Sequence, residues 1–271
     1  MNILAIGASR NIGYLSAIRL LNEGATVTFL LRSPSTFDDD SVIQQFVATE
    51  KARLIKGDAT SEEDTRRAWE AAGTVDAVIF SVGGTPSLGI KGITINPHNL
   101  VTQCMFNLLC TIPTYQNAPQ PKIIAISSIG LTPSAHKSLP LLMKPLYSML
   151  DAPHKDKLGL ERVLAHCAGW TWDAAAGEPD SDITGENWQQ RPGLPAPGSL
   201  KHILVVRPAW LTDGKSKADE IELKGKNKQG YRFGQEELGC YTISRADVSH
   251  FIATSLDRWN ELEDKRINVG Y

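Results

Sequence analysis

The opening of the chain constrains its fold more than any other stretch. Asn2-Ile3-Leu4-Ala5-Ile6 runs directly into Gly7-Ala8-Ser9-Arg10-Asn11-Ile12-Gly13, and residues 14–23 then carry apolar side chains at helical spacing. A short apolar run, a glycine turn and a helix start predict a strand–turn–helix unit. Such a unit is suited to a pyrophosphate, which needs unobstructed backbone approach and free N–H groups at a helix start. Gly7 is expected to make the turn and Gly13 to let helix and strand pack closely. Ser9, Arg10, Asn11 and Ile12 complete the candidate cradle. The spacing is not G-x-G-x-x-G. Asn11 stands near the middle of the loop, and Asn is the non-glycine residue that best tolerates positive φ. An ordinary turn that binds nothing is the competing reading, and the position immediately after the first strand weighs against it.

The remainder repeats the alternation. Strand-like runs fall at 3–6, 26–31, 53–55, 77–81, 123–127, 202–207 and 266–269, with helical patterns at 12–23, 61–72, 98–112, 155–167 and 244–259. The first four runs are nearly continuous in apolar residues, as strands covered on both faces are. The expectation is an α/β, doubly wound, mainly parallel sheet in one domain over residues 1–271. Ser61, before Glu62-Glu63-Asp64, and Ser244, before Arg245-Ala246-Asp247, mark two helix starts. An apolar content of 42% and a formal charge of -2 give no electrostatic reason for a nucleic-acid partner. No apolar run approaches the roughly 20 residues that span a bilayer. A strand pattern beginning at residue 2 leaves no room for a signal peptide. Cys104, Cys110, Cys167 and Cys240 show no metal-ligand rhythm and read as buried thiols in a reducing compartment, by default the cytoplasm, with no metal site.

The tip of the second strand bears on which dinucleotide is bound. A carboxylate there would hold a ribose 2′-hydroxyl, but the strand ends Phe29-Leu30-Leu31-Arg32-Ser33. Arg32 can pair with a 2′-phosphate, Ser33 can hydrogen-bond it, and Arg10 is a second cation within reach, so the expected cofactor is NADP(H). Gly57-Asp58-Ala59 follows the third strand, where Asp58 and Ala59 could hold an adenine. Ser81-Val82-Gly83-Gly84 follows the fourth, where Ser81 and Gly83 let the chain pass a cofactor.

These segments, with Ser127-Ser128-Ile129-Gly130, Val206-Arg207-Pro208-Ala209, residues 243–248 and the ending Ile267-Asn268-Val269-Gly270-Tyr271, resemble the atypical short-chain dehydrogenases/reductases. The nearest group is that of the NmrA-like and flavin/biliverdin reductase-like proteins. The resemblance implies a Rossmann fold, a loop close to G-x-x-x-G-x-G, and a Tyr-x-x-x-Lys helix in which Tyr is the acid and Lys orients the nicotinamide ribose. Lys157 matches that lysine, with Glu161 four residues on, but Pro153 stands where the tyrosine belongs. Candidate replacements are Tyr147, His154, and Ser127 or Ser128, each with a structural role as the competing reading.

Two irregular segments interrupt the pattern. Residues 208–240 leave the carboxyl edge of the sheet and are expected to wall the substrate side, with Trp210, Tyr231 or Phe233 as apolar surface. The charged run 215–228 within them reads as a solvated loop. Residues 169–199, with Trp170, Trp172 and Trp188, are expected to start on the face away from the chemistry and to pack on their own domain. They are also the candidate surface for a protein partner or self-association. The leading expectation is an NADPH-dependent reductase of a small, apolar carbonyl, enone or quinone-like substrate. Its rivals are an NADP(H)-sensing regulator and an enzyme using the fold for a non-redox step.

Overall fold

The computed structural model describes residues 1–85, 87–89, 92–113, 120–132, 150–226 and 228–271. The strands are β1 (Asn2–Ile6), β2 (Thr26–Leu31), β3 (Ala52–Lys56), β4 (Ala77–Phe80), β5 (Ser87–Gly89), β6 (Gly92–Thr94), β7 (Lys122–Ile126), β8 (Ile203–Pro208), β9 (Trp210–Thr212), β10 (Arg232–Gly234), β11 (Thr242–Ser244) and β12 (Lys265–Gly270). The described α-helices are α1 (Asn11–Asn22), α2 (Ser41–Ala48), α3 (Glu62–Ala72), α4 (Leu100–Cys110), α5 (Asp151–Ala168), α6 (Ser181–Thr184), α7 (Lys217–Leu223), α8 (Arg245–Asp257) and α9 (Trp259–Leu262).

Eight strands form one sheet in the order β10-β12-β8-β7-β4-β1-β2-β3, all parallel except β10, which runs antiparallel to β12. The alternation of strand side chains divides the core in two. Ile3 and Ala5 of β1 face a layer that includes α1, α2 and α8, while Leu4 and Ile6 face α3, α4 and α5. Both faces are buried, which is why the central strands read as unbroken apolar runs. The chain winds outward from β1 in both directions, to β2 and β3 on one side and to β4 and β7 on the other. The crevice between the carboxyl ends of β1 and β4 is therefore the topological switch point where such sheets bind ligands.

The expected mainly parallel Rossmann sheet is thus the observed one. Four features depart from the sequence reading. Helix α2 is capped by Asp40, whose Oδ1 accepts from the amides of Val42 and Ile43 at 3.1 and 3.0 Å. The run 215–228 contains helix α7 rather than being loop throughout. Ser216 accepts the Asp219 amide at 3.0 Å and donates to Asp247, and Arg19 of α1 pairs with Asp219. Tyr231, expected on a substrate wall, is buried against His250 and Phe251 of α8, with Phe233 partly buried beside it. Cys110 is only half-buried; the other three cysteines are buried, and none of the four is bridged. No described helix is long and apolar enough to cross a membrane.

Residues 169–199 do begin at the amino end of the sheet, where Gly169 (φ 69°) closes α5 with its amide on the His166 carbonyl at 3.1 Å. They then climb back along α5 instead of staying there. Glu178 meets Arg162 at 2.7 Å, Asp180 meets Lys155 at 3.0 Å, and the Asp182 carbonyl lies 3.0 Å from His98 Nε2. The return leg lays Trp188 against Phe106 and His166 and ends with Gly198 against Gly169, so close that a Cβ on Gly169 would lie 2.8 Å from the Gly198 Cα.

Candidate functional site

The loop after β1 is shaped by close approach. Gly7 has φ 78°, and a Cβ there would lie 2.5 Å from the Val82 amide nitrogen, because the turns after β1 and β4 touch. A Cβ on Gly13 would lie 2.2 Å from Ser81 Oγ and 2.7 Å from the Ala8 Cα. Asn11 adopts φ 56°, the left-handed conformation for which its residue type is suited. Arg10 at the N-cap is extended and provides no side-chain cap, so the first amides of α1 keep their donors for a ligand at the sheet's carboxyl edge. Ser9 and Asn11 are exposed there, whereas the Ile12 side chain is buried in the core and only its backbone can serve the cradle. Arg10 Nη2 donates to Thr85 Oγ1 at 2.9 Å, linking the loop to the chain beyond β4.

Ser81, expected to let the chain pass a cofactor, supports the loop. Its hydroxyl reaches back to the Ile6 and Gly7 carbonyls at 3.3 and 3.2 Å and fixes the loop from behind. Gly83 is exposed, with open space where a side chain would stand.

Beside the loop, the tips of β2 and β3 and the first turns of α3 border an open cavity of about 370 Å³ lined by Arg32, Lys56, Gly57, Asp58, Asp64 and Arg67. Three cations surround it. Arg67 is engaged by Asp64, whose carboxyl is held low by the Asp58 amide and then by Arg67. Among the described residues Arg32 and Lys56 form no ion pair, so their charge is directed to the cavity and the solvent. Asp58 is oriented by Thr60, whose amide and hydroxyl donate to its Oδ1 at 2.9 and 2.8 Å. Ala59 packs against the core, with its carbonyl accepting from Asn107 Nδ2 at 2.9 Å. Ser33 is exposed next to Arg32, its Oγ 2.8 Å from Ser35 Oγ.

At the other end, Lys157 of α5 donates from Nζ to the Ser127 carbonyl at 2.7 Å. Burial pushes its ammonium down to about 8, against the opposing pull of Asp156 and Glu161. Ser127 turns its hydroxyl into the protein and donates to Glu161 Oε1 at 2.5 Å. Glu161 is fully buried, accepts from Arg207 Nε and Nη2 at 2.9 and 2.5 Å, and lies 3.4 Å from Arg266 Nε. The guanidinium groups outweigh burial and hold its carboxyl below the usual range.

This geometry bears on two of the candidate acids. Ser127 is 0% exposed with its proton committed to Glu161, and Ser128, the next residue, is the partly exposed hydroxyl at the tip of β7. His154 is buried in the first turn of α5. Tyr147 lies outside the described residues. Pro153 occupies the third position of α5, where a proline is tolerated because the first turn's amides have no helical acceptor.

Sequence reasoning missed Lys56, Arg67, Asn107 and Asp156. Asp156 accepts the Val101 and Thr102 amides at 2.8 Å each and caps α4 from a different helix, which locks α4 and α5 together beside Lys157. Lys56 stood at the end of a predicted strand, and that position alone could have drawn attention to it.

A glycine turn pressed against the switch point, free helix amides, and a cation-lined cavity at the second and third strand tips define a dinucleotide-binding Rossmann protein. The family model described as NAD(P)H-binding matches residues 7–172, more than half of the chain, and the protein belongs to that family. Reductase pytE of Aspergillus terreus is 25% identical over 268 residues, covering 93% of this chain and 90% of that protein. Among solved structures, ChuY, an anaerobilin reductase from Escherichia coli, superposes with a TM-score of 0.58 at 16% identity, covering 99% of this chain and 96% of its own. A short-chain dehydrogenase from Streptomyces avermitilis gives a TM-score of 0.58 at 17% identity, covering 99% and 87%. These likenesses agree with the fold implied by the sequence motifs.

Proposed function

We propose that the protein is an NADPH-dependent reductase acting on a small, apolar carbonyl, enone or quinone-like compound. The observation that carries the cofactor preference is the cavity at the tips of β2 and β3, where Arg32 and Lys56 have no ion-pair partner among the described residues and β2 ends without a carboxylate. A guanidinium and an ammonium there favour a phosphate over a ribose hydroxyl. Gly7, Gly13 and the first amides of α1 would hold the pyrophosphate, and Asp58 with the adjacent backbone the adenine. Lys157 would orient the nicotinamide ribose.

A bound nicotinamide supplies the hydride, so the protein's task is placement. Lys157, fixed by the Ser127 carbonyl, sets one end of that placement. Ser128 is the hydroxyl best placed to polarise a substrate oxygen. The reductase names of the relative from Aspergillus terreus and of the neighbour from Escherichia coli support the same direction of chemistry. The regulator reading is not favoured by the tryptophans of residues 169–199, which are engaged within the chain, Trp188 on Phe106 and Trp170 beside Arg266. The four unbridged cysteines support a reducing compartment such as the cytoplasm.

Calorimetric titration with NADPH and NADH, on the unaltered protein and on Arg32→Ala, tests the cofactor. NADPH is expected to bind more tightly, and Arg32→Ala to remove most of that preference. Equal affinity, or tighter NADH, overturns it. NADPH oxidation followed across carbonyl, enone and quinone panels tests the chemistry, and no turnover with any of them would return the protein to a binding role.

A further inference from the structure

Residues 169–199 connect to the turn 57–60 through Arg191 and Asn107. Arg191, on the return leg, donates from Nη2 to Asn107 Oδ1 at 2.9 Å, and Gln103 Nε2 donates to the same oxygen at 3.1 Å. Asn107 is 1% exposed and passes the connection on, its Nδ2 donating to the Ala59 carbonyl at 2.9 Å. The carboxamide has one workable orientation. Turning it over would aim its NH₂ at the Arg191 guanidinium and its oxygen at the Ala59 oxygen, losing three hydrogen bonds in a buried place.

Arg191 is itself held in place. Its amide donates to the Trp188 carbonyl at 3.0 Å, its guanidinium lies 5.0 Å from the centre of the Phe106 ring, and Glu62 at the start of α3 is 3.9 Å away. Trp188 is anchored by Phe106, His166 and Arg162. The far side of the connection is the turn 57–60. Gly57 and Asp58 of that turn line the cavity, and Asp64 fixes the Asp58 amide at 2.7 Å. The turn is therefore tied to α3 through Asp64 and to α4 through Asn107, and the second tie depends on Arg191.

We propose that Arg191, acting through Asn107, is a positioning residue for the adenosine end of the dinucleotide, and that residues 169–199 serve as an internal strut that sets the turn carrying Gly57 and Asp58. The inference rests on reading that cavity as the adenosine subsite. Preorganisation is its physical content: a turn already held in its binding geometry loses less freedom when a ligand arrives.

Two half-ligands test it: 2′,5′-ADP for the adenosine half and nicotinamide mononucleotide for the other. Arg191→Ala removes the strut's contact at a partly exposed residue. Asn107→Asp keeps size and the acceptor for Arg191 but sets a carboxylate oxygen against the Ala59 carbonyl. Arg191→Ala is expected to weaken 2′,5′-ADP several-fold and Asn107→Asp about tenfold, with nicotinamide mononucleotide unchanged and Arg191→Lys retaining most of the affinity. Hydrogen exchange at residues 57–60 is expected to speed up in both weakened variants. A purely structural role would lower the thermal midpoint while leaving the affinity of the folded protein, and exchange at 57–60, as they were. That result, or equal weakening of both halves, overturns the inference while the cofactor reading stands. Failure of the unaltered protein to bind 2′,5′-ADP overturns the subsite reading and the strut with it.

Discussion

Lys157 Nζ stands 2.7 Å from the carbonyl oxygen of Ser127, so the helix that carries the lysine is fastened to the tip of β7 at the carboxyl edge of the sheet. The contact fixes the ammonium in place, while burial makes its charge costly and lowers it to about 8 from an ordinary 10.5.

The first prediction follows from that lowered value. If the ammonium orients the nicotinamide ribose, affinity for NADP+ falls as pH rises through about 8, and Lys157→Met abolishes the dependence as well as weakening binding. Folding shows the opposite trend. Between about 8 and 10.5 the unfolded chain keeps this proton and the folded chain has released it, so this group makes stability rise with pH across that window. Calorimetry from pH 7 upward, paired with urea denaturation of Lys157→Met, checks both signs. An affinity that stays flat through pH 8 would sink the assignment of Lys157 to the ribose.

Glu161 gives a stability prediction. It is the buried anion to which Arg207, Arg266 and Ser127 all turn. Glu161→Gln leaves the guanidinium groups without their counter-charge and should cost roughly 3–5 kcal/mol, the range for removing one partner of a buried pair. Arg207→Met added to Glu161→Met should recover part of that loss, because the costly state is the unmatched charge. Urea denaturation measures both. A small loss in Glu161→Gln would mean that water reaches the cluster.

Much of this was legible along the chain, and the rest has a common reason for being hidden. The strands announced themselves because both faces are buried, and the left-handed Asn11 could be read from its residue type and place. Lys157 and Glu161 could be located on one helix, but the partners of Glu161 lie on β8 and β12, which only the sheet brings together. The path of residues 169–199 depends on pairs such as Arg191 with Asn107, separated by 84 positions, and no local pattern encodes them. Two misses were avoidable. Asp40 before an apolar run and Ser216 three residues ahead of Asp219 are helix-start signals of the kind read correctly at Ser61.

The phosphate loop makes a paired prediction. Gly13→Ala places a methyl group 2.2 Å from Ser81 Oγ and 2.7 Å from the Ala8 backbone. The hydroxyl can rotate away but the backbone cannot, so the loop must shift, at about 1–3 kcal/mol of stability and with loss of dinucleotide binding. Asn11→Gly, by contrast, keeps the left-handed geometry without a side chain and should preserve binding, while Asn11→Val should impair it. Thermal denaturation and NADPH titration of the three variants decide the matter. Normal binding by Gly13→Ala would show that the loop is not the cradle.

The last prediction separates the three cations around the cavity at the tips of β2 and β3. Arg67 lies opposite Asp64 and its guanidinium Nη2 also donates to the Lys56 carbonyl at 3.3 Å, so much of its hydrogen-bonding capacity is already taken. Among the described residues Lys56 and Arg32 have no such partner, which leaves them to meet a dianion. Lys56→Ala should therefore weaken NADPH about tenfold, as losing one charge-assisted contact would. It should leave NADH nearly unchanged, since a ribose hydroxyl gains little from an ammonium. Arg67→Ala should have a smaller effect on the NADPH to NADH ratio than either Arg32→Ala or Lys56→Ala. The preference should also narrow as salt is raised, because these side chains are exposed and screened. If Arg67→Ala proves the most damaging of the three, the pair with Asp64 must open on binding, and the 2′-phosphate would sit nearer α3 than the tip of β2.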